Sequence, residues 1–124
     1  MVSRFCLGCI SFGDASKWIH PWVLDEERSG HIIKHAPDMG INFFDTANGY
    51  SAGTSEEYPG KAVKRYVRRD KVVLASKVYF NDGHLKKEAI NREIEGTLKR
   101  FGAHPAVTDQ PFSSASIPRE RSLC

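Results

Sequence analysis

No stretch of this 124-residue chain approaches the ~20 consecutive apolar residues of a membrane-spanning helix. Nor is there a basic segment leading into an apolar one, as in a secretory leader, so a reducing cytoplasmic setting is expected. Cysteines number three, an odd count that makes no disulfide framework. Cys6 and Cys9 do form a Cys-x-x-Cys, but no second Cys or His pair follows at zinc-ligand spacing. Along a strand, residues three apart also face opposite ways, which argues against a redox pair. No bound metal is expected. Gly-x-Gly-x-x-Gly is missing too, which excludes a dinucleotide site of the Rossmann kind. The net charge is only +3. The main basic cluster (Lys61, Lys64, Arg65, Arg68, Arg69) lies late in a helical stretch with no aromatic interleaving, so it reads as a solvated face rather than a nucleic-acid surface.

What is present centres on Gly40-Ile-Asn-Phe-Phe-Asp-Thr-Ala-Asn-Gly-Tyr50. Ile41 to Phe44 is an apolar run long enough for one buried strand, and Asp45 stops it. A carboxylate after such a strand needs a cation or several donors. Turn residues then lead to Tyr50. A second β-rich run, Val72 to Val78, carries Lys77 near its end. An acid, a phenol and an amine at or just past strand ends make a proton-transfer set.

The remaining pattern alternates strand and helix. Val2 to Gly8 reads as a first strand, followed by a loop from Ser11 to Trp22. Trp18 and Trp22 either line a pocket or cover the next helix. Asp25 to Met39 has helical spacing at Ile32, Ile33, Ala36 and Met39, with Gly40 at the C-cap. Pro37 is expected to break its last turn. Thr54-Ser-Glu-Glu57 reads as a capping box opening a second helix, with apolar positions Ala62, Val63, Tyr66 and Val67. Pro59 stands in it as a second breaker. Lys86 to Phe101 is the cleanest helix, with Ile90, Ile94, Leu98 and Phe101 on one face and Gly102 after it. Three βα units in a parallel sheet follow, an α/β fold.

Phe44-Asp45-Thr46-Ala47 through Tyr50, then Gly53-Thr-Ser-Glu-Glu57 and Gly60, then Leu74-Ala-Ser-Lys77, resemble the aldo-keto reductases, above all their aryl-alcohol dehydrogenase-like branch. The resemblance runs from Val2 to about Gly102. It implies the first three βα units of a (β/α)8 TIM barrel, a fold that typically needs ~250 residues. It further implies reduction of a small-molecule carbonyl by NADPH. Tyr50 would be the proton donor, supported by Lys77 and Asp45. Gly8, Cys9, Ile10 and Asp45 would border the nicotinamide end of the cofactor.

The family's next strand, with its catalytic His, is not recognisable. Residues 103–124 are rich in proline and serine and read as an irregular tail in which His104 takes no catalytic role. The expectation is therefore an N-terminal barrel fragment, weak or inactive by itself, with open sheet edges that invite self-association. The alternative is a non-catalytic remnant or interaction fragment of such a barrel.

Overall fold

Asp25 accepts the Arg28 N–H at 2.9 Å and opens α1 (Glu26–His35), whose first turn holds Glu26 and Glu27 where acids suit the helix dipole. The computed structural model describes residues 1–102. The tail expected over 103–124 lies outside the described residues. α1 ends ahead of Pro37, as expected of a residue without an N–H, and a 3-10 turn over Pro37–Met39 closes on Gly40 at φ 76°. Ile33 and Ala36 are buried beneath it, whereas Met39 is exposed.

The second helix, α2 (Thr54–Tyr66), corrects two expectations. Its N-cap is Gly53, in the left-handed region at φ 92°, with no side-chain cap. The Thr54 hydroxyl instead donates to Ser51 O (2.8 Å) and accepts from the Asp14 N–H (2.9 Å), tying the helix to the first loop rather than capping it. Pro59 does not stop the helix either. The carbonyl it leaves without an intrahelical donor is that of Ser55, and Thr46 Oγ1 lies 3.2 Å from that oxygen. Pro59 itself is fully buried, so its ring fills core space while a neighbouring hydroxyl meets the backbone.

α3 (Lys87–Arg100) matches its expected span closely and is followed by Gly102 at φ 70°. Its stripe is only half covered: Ile94 remains 49% exposed.

Three short strands, β1 (Leu7–Gly8), β2 (Phe43–Asp45) and β3 (Val73–Ala75), form one parallel sheet in that order. Phe44 pairs with Leu7 on one side and Leu74 on the other; Asp45 pairs with Gly8 and Ala75. β1 is far shorter than the expected Val2 to Gly8. Upstream of it the backbone pairs with a side chain instead: the Ser3 N–H donates to Asn42 Oδ1 (2.8 Å) and the Asn42 N–H to Ser3 Oγ (3.1 Å). Such side-chain partners satisfy the backbone without a ladder.

Phe44 is the centre of a core with Cys9, Phe12, Ile33, Ala36, Ala62, Val63 and Val72, set between the sheet, α1 and α2. Among the described residues the outer edges of β1 and β3 have no partner strand, and no helix is long and apolar enough to cross a membrane.

Candidate active site

The parallel register sends all three strands out at one end, and there the expected acid, phenol and amine meet. Asp45 ends β2, and its carbonyl accepts the Cys9 N–H at 2.8 Å from the end of β1. Past the end of β3 the Lys77 carbonyl accepts the Asn48 N–H at 3.0 Å, which holds the two outgoing loops side by side. Lys77 Nζ donates to Asp45 Oδ2 at 2.6 Å and to Thr46 O at 2.7 Å. The same ammonium stands 5.5 Å from the centre of the Tyr50 ring, a cation–π distance. Both charged side chains are about half exposed, so the pair faces solvent and adds little to stability.

Tyr50 begins a turn of unusual backbone. Ser51 (φ 48°, ψ 41°) and Ala52 (φ 51°, ψ 39°) are both left-handed, and Gly53 follows at φ 92°. Ser51 is fully buried, and its hydroxyl has no hydrogen-bond partner among the described residues. It also presses on Gly13, where a Cβ would stand 2.2 Å from Ser51 Oγ. A non-glycine left-handed residue costs roughly 1–2 kcal/mol, and a buried unmade hydrogen bond about 1–3 kcal/mol. Ser51→Gly is therefore expected to stabilise the chain by about 1–2 kcal/mol, after allowing for the extra chain entropy of glycine. The check is the midpoint of urea unfolding, which should rise at unchanged slope.

Trp18 lies against Tyr50. Its ring lies edge-on to Tyr50 with centroids 6.0 Å apart, and edge-on to His20 at 5.7 Å. Trp22 stacks on His20 at 4.9 Å and is half exposed. The loop thus presents a file of flat rings that ends on Tyr50.

The residues expected to border a cofactor divide. Gly8 is exposed, and a Cβ built on it would meet nothing within 4 Å, so open space lies over the strand end beside Asp45. Ile10 is exposed at 39%. Cys9 is fully buried in the core, with its thiol 3.5 Å from Leu7 O, so only its backbone borders the site. Burial pushes that thiol's pKa up to about 12, leaving it protonated and unreactive at neutral pH. Cys6, just before β1, is exposed.

One group at this end escaped the sequence reading. Glu56, read as part of a cap, is fully buried. Its Oε1 accepts from Ser76 Oγ (2.6 Å) and Thr97 Oγ1 (2.8 Å), and Oε2 accepts from Arg100 Nε. Glycines make room for this. A Cβ at Gly53 would lie 2.8 Å from Arg100 Cδ, and one at Gly96 would lie 3.0 Å from an Arg100 guanidinium nitrogen. The glycine in the middle of α3, otherwise unfavourable by roughly 1 kcal/mol, was the available signal.

The model of the aldo/keto reductase family matches residues 4–106. Versiconal hemiacetal acetate reductase of Aspergillus parasiticus is 48% identical over 146 aligned positions, covering 98% of this chain and 42% of that protein. Norsolorinic acid reductase B of Dothistroma septosporum is 39% identical over 118 positions, covering 95% of this chain and 28% of that protein. Among solved structures, an aldo-keto reductase from Klebsiella pneumoniae in complex with NADPH superposes with a TM-score of 0.65 at 31% identity, covering 82% of this chain and 32% of that one. The chain thus spans between about a quarter and two fifths of the length of these relatives. With more than four fifths of its residues inside the family match and its strand-end residues brought together in a parallel sheet, the chain belongs to the aldo/keto reductase family.

Proposed function

We propose that this chain carries the proton-delivering part of an NADPH-dependent carbonyl reductase. The observation behind this reading is the ammonium of Lys77, held by Asp45 and Thr46 O and set against the Tyr50 ring. The open strand end over Gly8, with Ile10 and Asp45 beside it, fits the nicotinamide ring of NADPH better than the buried Cys9 thiol does. When bound there, NADPH supplies the hydride. The Tyr50 hydroxyl gives its proton to the carbonyl oxygen, with the Lys77 ammonium set against its ring. Asp45 keeps the ammonium from turning into solvent. Water then returns a proton to Tyr50. The edge of Trp18 and the rings behind it form a flat apolar wall, which favours aromatic aldehydes and ketones as substrates.

Two preparations test the reading. The 124-residue chain alone, followed as NADPH oxidation with an aromatic aldehyde, is expected to show no measurable turnover. Most of the gain in such a reaction comes from holding hydride donor and carbonyl in attack geometry, and the relatives do this with a length of chain that these residues do not span. The second preparation grafts residues 1–102 in place of the matched segment of the Aspergillus parasiticus relative. It should oxidise NADPH in the presence of the aldehyde. A folded graft that binds NADPH without turnover would overturn the proposal and favour a non-catalytic role.

A further inference from the structure

We propose that Glu56 is a positioning residue for the Asp45–Tyr50–Lys77 site, acting through Ser76 on the backbone that carries Lys77. The inference rests on Lys77 and Tyr50 being the working pair, as read above. Glu56 touches neither of them among the described residues, yet it is a fully buried carboxylate with three donors from two other elements. One of those donors, the Ser76 hydroxyl, belongs to the residue immediately before Lys77. β3 ends at Ala75, and beyond it a single backbone hydrogen bond, from the Asn48 N–H to Lys77 O, ties this segment to its neighbour, while the Ser76 side chain is held by Glu56. In extended backbone, neighbouring side chains face opposite sides. Anchoring Ser76 on the helix side therefore turns Lys77 to the other side, where Asp45 and Thr46 O receive its ammonium.

The same carboxylate fixes the backbone that carries Tyr50. Glu56 lies in the first turn of α2, directly after the left-handed turn over Tyr50–Gly53. Arg100 reaches it from α3 across Gly53, leaving no room for a side chain there. Thus one buried group ties the residue before Lys77 and the turn after Tyr50 to a common point. This tie adds to the direct bond between the two segments, from the Asn48 N–H to Lys77 O.

The test reads the position of Lys77 without requiring turnover. Trace acetylation of the 124-residue chain, resolved by peptide mass spectrometry, gives the reactivity of Lys77 relative to Lys61, which pairs with Glu26 on the far surface. Ser76→Ala should raise that ratio about two- to tenfold, the factor set by one hydrogen bond. Thr97→Ala removes a donor from the same carboxylate oxygen but makes no hydrogen bond to the Lys77 segment, and should leave the ratio unchanged. If Ser76→Ala fails to fold, Ser76→Cys, a weaker donor of similar size, is read in the same way. An unchanged ratio in the Ser76 variant, or an equal rise in Thr97→Ala, would overturn the inference and leave Glu56 a stability element only. Loss of the reductase reading would show separately, as an inactive graft with Lys77 labelling that still responds to Ser76.

Discussion

In the grafted barrel, Tyr50→Phe is expected to lower turnover about 10²- to 10⁴-fold, the range general acids contribute. The substitution leaves the ring against Trp18 and Lys77 and removes only the hydroxyl. That hydroxyl makes no hydrogen bond among the described residues, so the unfolding midpoint should hardly change. The KM for aldehyde should also change little, because the oxygen acts chiefly as the carbonyl acquires charge. Parallel stopped assays of both proteins, with unfolding curves on the same preparations, decide it. A fall in activity matched by a fall in stability would mean that the tyrosine is structural.

The largest expected change in stability comes from Arg100→Met. It strands a carboxylate that is fully buried, with only two hydroxyls left as donors. Removing one partner of a buried ion pair costs about 3–5 kcal/mol. Glu56→Gln should be milder, about 1–3 kcal/mol, although it alters the same pair. The asymmetry follows from exposure: the Arg100 side chain is 25% exposed and can turn to water, whereas Glu56 is at 0%. Urea unfolding of the two variants side by side provides the measurement. Equal losses would show that Glu56 reaches solvent on its own.

The central motif was legible because its chemistry is local. Asp45 and Tyr50 sit five residues apart around turn residues, and Lys77 ends the only other β-rich run of strand length after them. Strand order followed from alternation of strand and helix. Lengths did not, since β1 shrinks wherever Asn42 and Ser3 side chains can stand in for ladder partners. Pro59 misled for a similar reason. Its missing N–H is a fixed property of the residue, but the hydroxyl near the orphaned carbonyl comes from Thr46, on another element. Glu56 was hidden most completely, because its main partner lies 44 residues away and because an acid in the first turn of a helix already has a reason in the helix dipole. Only the spacing of glycines hinted at a side chain passing between helices. The break at Pro37, by contrast, involves one backbone position alone and was read correctly.

The buried Glu56 also imposes an order of events on a chain made from its N-terminus. β1, β2, α1 and α2 can gather around Phe44 early, since every fully buried member of their core lies at or before Val72. The carboxylate cannot yet be withdrawn from water, because Thr97 and Arg100 have not been synthesised. Until then the first turn of α2 stays hydrated and Ser76 is the one donor to Glu56 already made. A ribosome exposes roughly 5–20 further residues each second, so the interval is brief, but it is a window in which a protease or chaperone meets an assembled sheet with an unfinished corner. Arrival of α3 closes that window, when the Arg100 guanidinium and the Thr97 hydroxyl take the place of solvent around Glu56.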